Sequence, residues 1–468
     1  MEVESDFSDL EDDILNATDA TAVSLAESAV KLVSTNSIQS VATVTNGKIS
    51  TGLVSGYYLI VEVSHGTNNA YVSTQYLLVP LENADKTVEI KTSEATITKK
   101  IVSEHSTDDN TILEDADTVA IGDDVTYRIV SGIPNYDEDA EAITYQIVDT
   151  LSSGLDYKSV SVKFSTDGEN YTVDGSQNTT AIDITTDKTA AAGQYAVAQS
   201  GQVITITLST ASVKAYKSVQ VTLVATLNEN ASTGDTGNPN SVHLEYENDY
   251  YGEGTSYKTP EDTVITYTGE LNILKISDSN ENLPGATFVI RKGSQTGDSL
   301  YFVLQTDGSY RYTKDSTVTG ATQDLVTDKN GEIKVVGLDV GTYYAEETDA
   351  PDGYSLATEQ FDVSLTIATS DDSKSAGLTL DTKGDGNSVA EASTATDGAA
   401  ANTSISGSYK VTWKTADGTQ KTIINKKGTN LPGTGGIGTT LFTFGGLALV
   451  MLAAAMFIVY TKKQRKQA

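Results

Sequence analysis

The chain reads as mainly β, a series of β-sandwiches in the body closed by one transmembrane helix at the C-terminal end. Valine, isoleucine, threonine and tyrosine are plentiful and alternate with polar residues in short runs bounded by Gly, Asn, Asp and Ser. Long helical patterns are scarce. The apolar run from Ile437 to Tyr460 is roughly 24 residues, or about 36 Å as a helix, enough to cross a bilayer with some tilt. Lys462, Lys463, Arg465 and Lys466 behind it would stay on the cytoplasmic side, so everything upstream is expected outside the cell.

Composition narrows the function. A formal net charge of -33 argues against nucleic acid and against anionic membrane surfaces as partners. It suits the solubility of an exposed extracellular rod. There is no cysteine, so a secreted chain must resist unfolding without disulfides. Met1-Glu-Val-Glu-Ser-Asp-Phe7 is acidic where a signal peptide would be basic and then apolar, which predicts a truncated N-terminal domain.

Residues 1–91 form the first predicted unit. Its helical signal is Ala20 to Val33, with Val23, Ala26, Val30 and Val33 at three- and four-residue spacing and Asp19 as the cap. Strand-like stretches follow at Ser40–Thr45, Gly56–Val63 and Tyr71–Pro80. Residues 92–268 form the second unit. Its strands are expected at Ala95–Val102, Asp123–Val130, Ala142–Asp149, Ser159–Phe164, Gln202–Ser209, Ser218–Leu227 and Val242–Asn248. Residues 269–425 form the third, with strands at Leu271–Ile276, Ala286–Arg291, Tyr301–Gln305, Glu332–Val336, Gly341–Glu347, Phe361–Ile367, Ser408–Lys414 and Lys421–Asn425. Within it, 370–406 is rich in Ser, Thr, Asp, Gly and Ala and reads as a long surface insertion. Residues 426–468 hold the spacer, the apolar span and the basic tail.

Leu431-Pro-Gly-Thr-Gly435 stands directly before the apolar run. Motif, span and tail in this order resemble the LPxTG sorting signal of Gram-positive surface proteins. The resemblance implies a sortase as partner, cutting between Thr434 and Gly435 and passing the Thr434 carbonyl to an amine. Pro432 and the glycines suit an extended backbone that an enzyme cleft can grip.

Two lysines fall at inward positions. Leu271, Ile273 and Lys275 share one parity of a strand, as do Ile97, Lys99 and Ile101. A buried ammonium is costly, so such a lysine shifts toward its neutral, nucleophilic amine. Beside an Asn carbonyl and a carboxylic acid kept protonated by the same apolar pocket, it can displace ammonia and leave an amide.

Here the chain resembles the Gram-positive pilins, whose collagen-adhesin-type, immunoglobulin-like sandwiches carry self-formed Lys–Asn isopeptide bonds. Tyr343-Tyr-Ala-Glu-Glu-Thr-Asp-Ala-Pro-Asp-Gly-Tyr354 is similar to that family's E-box, which implies Glu347 as the catalytic acid. Lys275 ahead of Leu283-Pro-Gly-Ala-Thr-Phe288 matches the opening motif, and Asn425 lies where the reactive Asn of the last strand is expected. In the second unit the similar pieces are Lys99-Lys-Ile, Gly122-Asp-Asp-Val-Thr-Tyr127, Ile147 to Leu155 and Leu244-Glu-Tyr-Glu-Asn248. They imply Lys99 as amine, Asn248 as amide and Asp149 as acid, with Lys100 the rival that strand parity rejects.

Polymerisation would need an exposed lysine on the first domain to accept the Thr434 acyl group. Shaft pilins carry it in a YPKN-like motif; this chain has Val88-Glu-Ile-Lys-Thr-Ser-Glu94, making Lys91 the nearest candidate and Lys86 the next. Gly433-Thr-Gly-Gly-Ile-Gly438 fits G-x-G-x-x-G without a βαβ unit around it. His65, His105 and His243 show no metal-ligand spacing, and no hydrolase triad is visible. The expectation is a non-enzymatic, wall-anchored pilus subunit supporting adhesion, with no cofactor. Its expected partners are a sortase, further pilin copies, peptidoglycan and a surface ligand. The alternative is a singly displayed wall-anchored adhesin or a pilus base subunit.

Overall fold

The computed structural model describes residues 92–102, 113–356 apart from short gaps, the strands between 361 and 415, and 421–427. It also describes parts of 9–88 and the helical residues 450–456. The fold is mainly β, as the alternation predicts, and two hydrophobic cores dominate it.

The first core lies between two sheets of the second unit. One sheet runs in the order Val173–Asp174, Leu155–Ser165, Ser218–Leu227, Asp124–Gly132, Thr96–Val102, Leu113–Glu114. The other includes Gln194–Ser200, Val203–Leu208, Tyr145–Leu151, Asn238–Asp249, Asp262–Tyr267 and Ala116–Thr118. Buried and half-exposed residues alternate along Asp124–Gly132, Tyr145–Leu151 and Ser218–Leu227, the signature of strands with one face on a core. Tyr127, Ile129, Ile147, Phe164, Leu223 and Leu244 fill the space between the sheets. A short helix, Thr210–Ala215, closes one end, its first turn capped by the Ser209 hydroxyl accepting from the Ser212 N–H.

The third unit repeats the two-layer plan around Leu271, Ile273, Phe288, Phe302, Val335 and Ile423. Its first strand, Gly269–Ser277, lies between Glu332–Leu338 and the last strand, Lys421–Asn425, and pairs with that last strand in parallel. The facing sheet carries Thr287–Lys292, Gly341–Asp349 and Phe361–Thr369. Thr379–Lys383 and Asn387–Val389 pair with each other inside the segment read as an insertion, and the former also pairs with Phe361–Thr369. The insertion therefore holds a hairpin. Its alternating Thr and Leu outweigh the polar composition of its surroundings.

The boundaries at 91 and 268 are stitched across. Tyr71–Ser73 pairs with Thr92–Glu94, and Val72 is buried among the second unit's core residues. Between the second and third units, the Ile121 N–H donates to Gly337 O at 3.0 Å, and Lys314 pairs with Asp123 at 2.7 Å. The Thr118 hydroxyl donates to Asp339 Oδ1 at 2.8 Å. Ala116 and Tyr267, from the second unit, are buried in the third unit's core.

In the first unit, Gly56–Val61 pairs antiparallel with Tyr76–Leu81. Of the helix predicted over 20–33, residues 25, 26, 28 and 29 are described and helical, with Leu25, Ala26 and Ala29 buried. A helix over Glu11–Leu15 has no counterpart in the sequence reading. The expected sorting motif at 431–435 and most of the apolar run lie outside the described residues, as do Lys86 and Lys91. Residues 450–456 of the run are helical, and no described helix is long and apolar enough to cross a membrane.

Candidate amide-forming sites

The pocket of the third unit is set by strand register. In the parallel pair, Lys275 sits beside Ile423 and Ser277 beside Asn425, so the lysine and the asparagine meet diagonally. Glu347 comes from the opposite sheet, on Gly341–Asp349, and reaches across the sandwich. All three side chains are buried. Lys275 Nζ is hydrogen-bonded to Asn425 Oδ1, and Asn425 Nδ2 donates to Glu347 Oε1 at 2.8 Å. Lys275 Nζ lies 3.6 Å from Glu347 Oε2 and 5.9 Å from the centre of the Phe288 ring.

An ammonium and a carboxylate here would both have lost their hydration, which a single ion pair repays poorly. The carboxyl meets the amide at its nitrogen, the group that would depart, rather than at its carbonyl oxygen. That placement suits protonation of leaving ammonia.

The second unit has a matching pocket. Strand parity distinguishes the two lysines. Lys99 is fully buried, whereas the Lys100 side chain is 39% exposed and pairs with Asp115. Lys99 Nζ contacts Asp149, itself fully buried, and sits 5.0 Å from the centre of the Tyr127 ring. Burial pushes the Lys99 amine below its ordinary range, with Asp149 opposing the shift. Burial pushes the Asp149 carboxyl up, with Lys99 opposing. Both shifts favour the uncharged pair. The Tyr127 hydroxyl closes the pocket through a 2.9 Å hydrogen bond with Thr266 Oγ1.

The amide at this pocket is Asn240, not Asn248. Asp149 stands opposite Val242, and Asn240, two residues along, lies on the same face next to it. The Asn240 side chain is fully buried and close enough to Asp149 and Tyr127 to oppose, in part, the upward shift that burial gives each of them. Neither Asn240 Nδ2 nor Oδ1, nor Asp149 Oδ1, completes a hydrogen bond of normal geometry. Asn248 is also buried, but eight residues further along the strand, roughly 26 Å at strand rise. Residues 240, 242, 244, 246 and 248 share one parity, so alternation sends both asparagines inward. Only the pairing with Asp149 separates them.

His243 is buried, with Nε2 3.2 Å from Glu245 Oε1. Thr434, expected as the cleavage point, and the acceptor candidate Lys91 lie outside the described residues.

Residues 269–377 match the family described as SpaA, prealbumin-like fold domain. The trypsin-resistant surface T6 protein of Streptococcus pyogenes serotype M6 is 27% identical over 425 residues, covering 80% of this chain and 70% of that protein. The solved structure of the T6 backbone pilin of that serotype aligns with TM-score 0.49 and 19% identity, over 86% of this chain and 88% of that one. The group B streptococcus pilus 2b backbone protein aligns with TM-score 0.42 and 24% identity, over 68% and 97%. The third unit is thus a SpaA prealbumin-like domain, in a chain similar over most of its length to the T6 surface protein of a Gram-positive bacterium.

Proposed function

We propose that this chain is a structural subunit of a cell-wall-anchored pilus, exported from a Gram-positive cell and joined by a sortase through Thr434. Intramolecular Lys–Asn amides would harden it. The observation that carries the reading is the buried set Lys275, Asn425 and Glu347, for which a sandwich with no chemistry to perform has no use.

The neutral Lys275 amine attacks Asn425 Cγ, the bond from Cγ to Nδ2 breaks, and Nδ2 leaves as ammonia after taking up a proton through Glu347. One amide replaces another, without oxidant or cofactor. Lys99, Asn240 and Asp149 would do the same in the second domain. Each reaction happens once per molecule, so this is self-modification rather than turnover.

The third-domain bond would close a loop spanning a separation of 150 residues. On the chain-entropy model that restricts the unfolded state by about 5 kcal/mol. The bond also joins the first strand to the last, so tension crossing the domain can bypass the strands between them. This suits a chain without cysteine that is pulled lengthwise.

Intact mass spectrometry tests the bonds. The full chain is expected about 34 Da below its sequence mass, about 17 Da for each lost ammonia. Lys275→Ala should restore half of the deficit. A wild-type mass equal to the sequence mass would refute both bonds.

Polymerisation is tested separately by electrophoresis of wall extracts in sodium dodecyl sulfate. A high-mass ladder is expected, and a single band would favour the alternative of one wall-anchored adhesin or base subunit. The sequence Val88-Glu-Ile-Lys-Thr-Ser-Glu94, without the Pro and Asn of a shaft acceptor motif, keeps that alternative in play. Peptide mapping of polymer would show whether Lys91 is the residue joined to Thr434.

A further inference from the structure

We propose that Asp262 is a positioning residue for amide formation at Lys99, holding the backbone root of the reactive lysine while Asp149 holds its tip. This rests on the reading of Lys99 as an amide-forming amine.

Strand register sets up the arrangement. Asp149 pairs with Val242, and Val242 pairs with Asp262, so the three form one row across neighbouring strands of a single sheet. Lys99 lies in the opposite sheet. Its side chain reaches Asp149 at one end of the row. Its backbone N–H donates to Asp262 Oδ2 at 2.7 Å at the other. The strand next to this edge, Leu113–Glu114, pairs only with Ile101 and Val102. Beside Lys99 the ladder has no neighbour strand on that side among the described residues, and the Asp262 carboxyl accepts in its place.

The consequence is mechanical. Two sheets of a sandwich touch through side chains and can slide by fractions of an ångström, whereas a hydrogen bond from the backbone of the reactive residue to a side-chain oxygen of the other sheet pins them. Amide formation needs the amine held in line with the Asn240 carbon, and small misplacements of a reacting group cost large factors in rate. Asp262 is half-buried, and burial raises its pKa. The charged groups facing it are Asp115, Lys100 and Lys99. A position so placed is poor for a carboxylate unless the hydrogen bond to Lys99 is what keeps it there.

The test uses the full chain made in a cell-free system, with the Lys99–Asn240 cross-linked peptide quantified over time by mass spectrometry. The Lys275–Asn425 peptide serves as a control within the same molecules. Asp262→Ala is expected to slow the Lys99 link at least tenfold and leave the Lys275 link unchanged. Asp262→Asn, which retains an acceptor oxygen, should fall within about twofold of wild type. Asp115→Ala, which alters the nearby charge but not the hydrogen bond, should match wild type.

An Asp262→Ala link at the wild-type rate would overturn the positioning role alone. So would an Asp262→Asn link as slow as that of Asp262→Ala, since charge would then matter rather than the accepting oxygen. If Asp262→Ala unfolds the second domain, seen as loss of its near-ultraviolet circular dichroism, Asp262→Ser, whose shorter polar side chain cannot reach the Lys99 N–H, takes its place: a slowed Lys99 link is expected, and a wild-type rate would overturn the positioning role. A wild-type chain with the Lys275 link but never the Lys99 link would remove the amide reading of the second domain, and the positioning role with it.

Discussion

At Lys99 and Lys275 an amine is buried where hydration cannot reach it, and the surrounding residues govern its protonation and its chemistry. Each lysine has a carboxyl within reach; Asn425 is bonded to Lys275, and Asn240 lies beside the Asp149 that Lys99 contacts. Asn240→Ala should abolish the second-domain mass loss of about 17 Da, while Asn248→Ala should leave it intact. Peptide mapping of the two variants checks this, and the opposite pattern would restore Asn248 as the amide. Glu347→Gln keeps the shape of the third pocket but removes its acid. It should slow the Lys275 link about a hundredfold or more, as loss of a general acid does, measured by the cross-linked peptide over time. The inward placement of Lys99, Lys275 and Asp149 was foreseeable because parity is a property of one strand. Asn240 was not, since nothing local to its strand says which of its inward residues faces Asp149.

Among the elements, the joint between the second and third domains is tightly built. Gly337 has φ +91°, and a Cβ there would meet Ile121 Cδ1 at 2.6 Å, so both the backbone and the space require glycine. Gly337→Ala should destabilise the chain by about 1–3 kcal/mol, seen as a lowered urea midpoint. On an Ile121→Ala background, which carries its own cavity cost, Gly337→Ala should cost less because only the backbone part remains. If it costs as much as in wild type, the contact with Ile121 is not the cause.

A weaker feature binds two other strands. Lys158 holds the Asp124 carboxyl below the usual carboxylate range, through a hydrogen bond exposed to solvent. A depressed carboxylate gives stability that is present above its unfolded pKa and lost as pH falls through the folded one. Asp124→Asn should therefore cost no more than about 1 kcal/mol at neutral pH, with the gap from wild type closing below the ordinary carboxylate range. Urea titrations at neutral and acid pH would show it, and a gap that widens in acid would contradict it.

On the scale of the whole molecule, the two domains share more than a linker. Ala116 and Tyr267 belong by sequence to the second domain yet are buried in the third domain's core, and Val72 of the first unit is buried in the second's. The sequence alone determined that the chain is mainly β, where most strands run, and which lysines turn inward. It also carried the stretches that resemble a sorting signal and an E-box. These are short-range properties, since alternation sets which face a side chain takes and a motif is read from neighbours in the chain. Tertiary structure decided which asparagine meets Asp149, which atom of Asn425 meets Glu347, and that Asp262 reaches the Lys99 backbone. Each of these depends on register between strands far apart in sequence, and a shift of one residue would turn every side chain of a strand to its other face.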